Sequence, residues 1–432
     1  MKSLCIKNYK NLKELSLNSL APVNLIVGRN NVGKSTLLEA ISIYITNGSD
    51  EWLKTILDIR GELVNVDFTK GEIDSNKILL EHYSSLFNDH CKEFVNSAAI
   101  SIGENEDLLN IRLVHVSEKT IKSEDGFETK KYVSYNDCDN VSDSLSLLYL
   151  GDGLEISSAS ASKILIPFFQ RRAFGSVKDK MPFEYVLVED FQLRRNVLLF
   201  DRVSLSDKEK YVVEALRIIE PRVDRLNFLN ENEFSNVRVP YVTLKDTGQR
   251  FRLSSMGDGI NRVLSIILGL VNCKGGVFLL DEFETGLHYT VQTKLWEVIF
   301  MLSEKLNIQV FVTSHSRDCI NSFVAANEKK LGQIIRLDNR DGNIVAVSYQ
   351  RIGIMVAADN DVKGRWMQLV DILMKSGKYD CENLELPLDG LVLYPLNSCD
   401  AIIGIWIMPN NNLEGMLEDF VLQLVSSENV LM

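Results

Sequence analysis

Apolar residues along the chain follow two different periods, and where the period changes marks the elements. Val23–Val27 (VNLIV) is a short, mostly apolar run of the kind that makes a strand buried on both faces. After a polar loop, Leu37, Leu38, Ile41 and Ile45 recur at helical spacing. The same alternation returns late in the chain. Ile260, Val263, Leu264, Ile267 and Leu270 predict a helix, and Val277–Leu280 a buried strand. Val291, Leu295, Val298 and Leu302 predict a second helix, and Ile308–Thr313 another buried strand. Strands alternating with helices point to an α/β fold built on a parallel sheet.

The intervening stretches read differently. Leu4 and Ile6, then Leu12, Leu15 and Leu17, predict two short strands ahead of Val23, joined by a polar turn that holds Tyr9. Residues 48–199 show helices around Glu51–Ile59 and Ile78–Phe94, strands over 98–116, and an Asp125-Gly126 hairpin turn, but no catalytic pattern. This segment reads as an inserted lobe or arm between two halves of one core, 1–47 and 200–348. Phe168-Phe169-Gln170-Arg171-Arg172 is expected to be a solvated edge, with a nucleic-acid contact as its alternative. Ser206 with Glu209 has the spacing of a capping box for a helix through Val212, Val213, Leu216 and Ile219, closed by Pro221. Strands return over 222–250, and Asn339–Asn343 is a hairpin turn. Residues 350–432 form a further α/β piece. Its strands are expected at Ile352–Val356, Leu391–Tyr394 and Ile402–Ile407, with helices through Trp366–Leu373 and Leu413–Leu424.

Composition narrows the class. The 432 residues are 45% hydrophobic and 25% charged, an ordinary globular balance with room for two or three domains. No apolar run reaches the length of a membrane span, and the first ten residues lack the apolar segment of a secretory signal. Seven cysteines are scattered without a C-x-x-C pair, which speaks against structural zinc or a disulfide framework and for a reducing cytoplasm. A net charge of −12 argues against a protein coated in nucleic acid and leaves a local basic groove open.

The chemistry gathers at the strand ends. Gly28-Arg29-Asn30-Asn31-Val32-Gly33-Lys34-Ser35-Thr36 matches G-x-x-x-x-G-K-[ST] between a strand and a helix, the context in which that pattern cradles phosphates. Lys34 is expected to reach the β- and γ-phosphates of ATP, and the Ser35 hydroxyl to ligate Mg²⁺. Packing is the expected role of Tyr9, with contact to the base as the alternative. Ser255 stands before Gly257 and Gly259 at a helix start and could form a second anion site, although Ser-x-Gly alone is usually only a cap. Asp281-Glu282 closes an apolar strand. The first acid suits Mg²⁺, and the second suits orienting and deprotonating an attacking water. His315, just past another strand, is placed to sense a γ-phosphate.

These elements, in this order, resemble the ABC-type ATPase head of SMC, RecF and OLD proteins. The wording SSMGDG, DEFETGLHY and QVFVTSHSRDC is most similar to OLD-type ATPases, which include subunits of bacterial anti-phage systems. The resemblance covers roughly residues 1–47 and 200–348. It implies that Ser255–Gly259 is the signature, Asp281-Glu282 the Walker B pair, Glu284–Leu287 the D-loop and His315 the switch histidine. It also implies a dimer of heads or a larger homo-oligomer with ATP between them, and a separate effector or nuclease subunit. Residues 350–432 resemble the TOPRIM-like domains that accompany such ATPases, in VAADND, GRW and GIWIMPNN. Three departures mark that piece as degenerate: no glutamate-bearing first strand, Ala357 in place of an acid before Asp359, and Asn410 where related domains carry aspartate. The reading is therefore a cytoplasmic ATP-hydrolysing switch in anti-phage defence without a membrane partner. A DNA-repair head that binds DNA directly, or an OLD-type nuclease, is the alternative.

Overall fold

The computed structural model describes residues 1–62, 72–104, 107–122, 128–136, 147–158, 164–168, 173, 178–187, 193–230, 237–257, 259–327, 331–340, 342–349, 352–358, 362–377, 391–393 and 402–408. They fall into two compact units, Met1–Ser348 and Tyr349–Met432.

The centre of the large unit is a six-stranded sheet. Its order is Asn343–Tyr349, Gly332–Arg340, Val23–Gly28, Gln309–Ser314, Val277–Leu280, Phe183–Val186. Val23–Gly28 is parallel to both of its neighbours, and Val277–Leu280 is parallel to both of its own. The unbroken apolar runs follow from this placement, because central parallel strands are covered on both faces. Parallel pairing also brings the carboxyl ends of four strands to one edge, where ligands of open α/β sheets bind. Gly28, Leu280, Ser314 and Val186 end there.

A second, antiparallel sheet changes the expected picture of residues 48–199. Leu12–Leu17, Leu4–Tyr9, Ile100–Glu104, Asp107–Lys122, Leu147–Ser157 and Ile164–Pro167 lie side by side, with Glu128–Tyr135 paired to Asp107–Lys122. The segment is therefore no detached arm. Its strands extend the N-terminal hairpin, and their apolar face (Ile102, Leu109, Ile111, Leu113) shares one core with the Lys34–Ile45 helix. Phe183–Val186, from the same segment, is a strand of the central sheet. Sequence periodicity cannot reveal this, because strands pair across distances that leave no local trace.

Smaller differences have local causes. The Glu72–Ser84 helix stops well before Phe94. The Ser206 helix begins at Glu209, and Glu209 reaches back to the Leu205 N–H at 2.9 Å, one residue beyond the expected box. The Asp125-Gly126 turn, residues 169–172 and the Leu413–Leu424 helix lie outside the described residues; the strands flanking the turn do form a hairpin, and Phe168 is buried and stacked on Tyr83 at 5.2 Å. Tyr9 packs, as expected. It is fully buried, and its hydroxyl donates to Glu39 Oε2 at 3.1 Å. Lys10 (3.3 Å) and Arg60 (2.6 Å) also bond Glu39, tying the phosphate-loop helix to the N-terminal hairpin and to the end of the Asp50–Ile59 helix.

The small unit has a three-stranded sheet. Ile402–Met408 lies between Ile352–Ala358, to which it is parallel, and Leu391–Leu393, to which it is antiparallel. The Val362–Ser376 helix packs on the central strand and buries Leu369 and Leu373. Ala357 is a strand residue; Asp359, Asp361 and Asn410 lie outside the described residues.

Aromatic packing holds the site edge from behind. Phe283, two residues past Asp281, stacks on Trp296 at 4.4 Å, and Phe323 meets the same indole edge-on at 4.9 Å. All three rings are buried. Trp296→Ala should lower stability by about 3–5 kcal/mol, the usual scale for a deleted core aromatic. Chemical denaturation that gave an unchanged midpoint would show that this cluster is not a keystone.

Candidate active site

The phosphate-loop pattern adopts the turn its glycines permit. Gly28 and Gly33 both have positive φ, +154° and +84°, and Asn31 has +63°. A Cβ at Gly28 would stand 2.6 Å from the Leu337 carbonyl oxygen and 2.8 Å from Val32 Cγ2. Only glycine fits there. Val32 and Thr36 are buried and brace the loop, while Asn30 and Asn31 are exposed. Gly33 caps the Lys34–Ile45 helix, so that helix starts with its free N–H groups directed at the loop.

Lys34 folds over the loop, its Nζ donating to the carbonyls of Gly28 (3.1 Å) and Arg29 (2.9 Å). Burial lowers its pKa, opposed by the fields of Asp281, Glu282 and Glu284. Ser35 Oγ donates to Asp281 Oδ1 at 3.1 Å, joining positions 246 residues apart in sequence. Hard oxygen donors from a hydroxyl and a single carboxylate suit Mg²⁺, which takes its remaining ligands from phosphate and water. Among the described residues there is no cluster of three or more metal-ligating His, Cys, Asp or Glu side chains.

Two residues given no part in the site by the sequence reading hold the Asp281-Glu282 segment. The Thr313 hydroxyl donates to Asp281 Oδ1 and accepts the Glu282 N–H at 2.8 Å. Arg262, 1% exposed, donates to the carbonyls of Asp281 (3.2 Å) and Leu187 (3.0 Å). A charged residue inside an otherwise apolar helical stretch was the available signal for Arg262. Nothing in the sequence distinguishes Thr313 from any other strand threonine. Glu282 has φ +49°, and one of its oxygens accepts from the Thr285 hydroxyl at 3.1 Å.

Glu284 Oε1 accepts the His315 backbone N–H at 2.9 Å and lies 3.0 Å from His315 Nδ1. The imidazole is half exposed, tethered to the turn after Glu282. Ser255 departs from the expected cap. It lies in a 3₁₀ turn, Leu253–Met256, and its hydroxyl donates to the Arg252 carbonyl at 2.7 Å. The Ile260–Asn272 helix starts five residues later behind Gly259, without a side-chain cap. Ser255 and Gly257 are exposed, and Gly257 has φ +122°. Gly259, the cap of that helix, lies close to the turn after Glu284: a Cβ there would stand 2.9 Å from the Gly286 carbonyl oxygen.

Known families match this architecture in pieces. An AAA ATPase domain family matches residues 1–150, and an AAA domain family named for the AbiEii toxin of type IV toxin–antitoxin systems matches 164–318. The large unit is thus similar, piece by piece, to AAA-type ATPase domains. A family of proteins of unknown function (DUF3226) matches residues 296–432. An ATP/GTP phosphatase of Helicobacter pylori is 24% identical over 335 residues, spanning 74% of this chain and 86% of that protein. The OLD nuclease of Thermus scotoductus is 21% identical over 382 residues, 83% of this chain; the match spans 66% of the nuclease. Among solved structures, the SMC head bound to the C-winged helix domain of ScpA aligns with TM-score 0.43 and 14% identity over 80% of this chain and 96% of that one. The SMC head of Thermotoga maritima aligns with TM-score 0.36 and 11% identity over 80% and 97%. Among the described residues, no helix is long and apolar enough to cross a membrane.

Proposed function

We propose that the large unit binds and hydrolyses ATP with Mg²⁺, and that this cycle switches an assembly in bacterial anti-phage defence. The observation that carries the ATPase reading is the Ser35–Asp281 hydrogen bond at the carboxyl edge of the parallel sheet. The loop N–H groups and Lys34 hold the phosphates. Ser35 and Asp281 would hold Mg²⁺, which would supply positive charge to the phosphates. Glu282 orients the attacking water and accepts its proton, and His315, steered by Glu284, contacts the γ-phosphate side.

The exposed Ser255 turn has no phosphate of its own to serve, so we assign it to the site of a second copy. Two heads then close with ATP between them, and closure is the signal to a separate effector or nuclease subunit. The defence role draws on the AbiEii-named family and the OLD relative. Phosphate release from ATP that requires Mg²⁺ and stops with EDTA tests the activity. Mass analysis of proteins that co-purify from the native host tests the assembly: a toxic or nucleolytic subunit favours defence. ATPase activity stimulated by DNA, with a steep salt dependence, favours a repair-type head instead.

A second reading has one observation behind it, the OLD nuclease match across 83% of the chain. Metal-dependent cleavage needs several carboxylates together, because clustered charge is what holds divalent cations against their hydration. Ala357 and Asn410 remove two such positions. The purified chain should therefore cut neither DNA nor RNA with Mg²⁺ or Mn²⁺. Cleavage abolished by Asp359→Ala would make the nuclease reading the leading one.

A further inference from the structure

We propose that Arg262 and Thr313 form a clamp on the peptide bond between Asp281 and Glu282, making Arg262 a positioning residue for the catalytic base. The inference rests on the reading of Glu282 as that base. Both polar groups of the peptide are held by side chains from other elements. Its carbonyl oxygen accepts from Arg262 Nη2 at 3.2 Å, and its N–H donates to Thr313 Oγ1 at 2.8 Å. Beyond this peptide the backbone turns into the left-handed region at Glu282, φ +49°. A residue with a Cβ holds that conformation at a cost of about 1–3 kcal/mol, and only when its surroundings over-determine it. The clamp supplies that determination.

The two halves of the clamp come from different places. Thr313 is the last residue but one of the Gln309–Ser314 strand, which pairs with Val277–Leu280, and it also bonds the Asp281 carboxylate. Arg262 belongs to the Ile260–Asn272 helix that follows the Ser255 turn. Its other nitrogen holds the Leu187 carbonyl, past the end of the neighbouring Phe183–Val186 strand. A buried guanidinium is costly to keep, and an apolar side chain of similar volume would fill the space at lower cost. What the charge adds is directional pull on two carbonyls at the strand ends.

The test compares steady-state ATP hydrolysis and thermal midpoints for wild type, Arg262→Met, Arg262→Lys, Glu282→Gln and the Arg262→Met/Glu282→Gln double variant. Arg262→Met should lower kcat about 10-fold to 100-fold, the scale of a displaced catalytic group, with KM for ATP within about 2-fold of wild type. Arg262→Lys should recover part of the loss. In the Glu282→Gln background Arg262→Met should cost nothing further, because there is no base left to aim. A wild-type kcat for Arg262→Met, or an undiminished further loss in the double variant, would overturn the clamp. If Glu282→Gln itself turns over normally, the base assignment fails, which is a different result from failure of the clamp alone. Should Arg262→Met not fold, Thr313→Val, which keeps the volume and removes the hydroxyl, must show the same kcat loss and the same lack of additivity with Glu282→Gln; otherwise the clamp is rejected.

Discussion

Glu282→Gln is expected to bind ATP as wild type does and to hydrolyse it at least ~100-fold more slowly, the usual scale for a lost general base. The amide keeps the volume and one acceptor oxygen, so the Thr285 contact survives and the clamped backbone is undisturbed. What is lost is the ability to take a proton. Lys34→Ala should do the opposite, weakening binding itself, because it removes a side-chain cation folded over the Gly28–Gly33 loop. Nucleotide binding by calorimetry and single-turnover phosphate release separate the two effects. Near-normal turnover by Glu282→Gln would refute the assignment of the base.

Ser255→Arg is expected to bind ATP and to fail to hydrolyse it. The serine is exposed, and its hydroxyl bonds only within its own turn, so the substitution leaves the core and the Lys34 loop intact. In a closed pair the arginine would occupy the space a partner's γ-phosphate needs. Mixing Ser255→Arg with Lys34→Ala should restore part of the activity. One of the two composite sites then combines an intact loop from one copy with an intact serine from the other. Hydrolysis by Ser255→Arg alone at the wild-type rate would show that each head works without a partner's turn.

Much of this was legible in the order of residues, for a physical reason. A phosphate loop is a local object: its glycines, lysine and serine act within nine residues of one another, and the flanking strand and helix show in their own periods. Buried parallel strands are likewise local in pattern, so the strands expected at Val23–Val27, Val277–Leu280 and Ile308–Thr313 form, within a residue at each end, as Val23–Gly28, Val277–Leu280 and Gln309–Ser314. Tertiary structure decided what depends on pairing across the chain. The register that sets Gly28, Asp281 and Ser314 on one edge is such a property. So is the joining of Asp107–Lys122 and its neighbours to the N-terminal hairpin, where sequence alone suggested an inserted lobe or arm. Ser255 shows the limit most directly: a serine before glycines looks like a helix cap, but the backbone takes a 3₁₀ turn first and the helix begins at Ile260. Thr313 and Arg262 leave no motif because their role is to hold two backbone atoms, and a backbone atom is the same at every position until the fold brings a particular side chain to it.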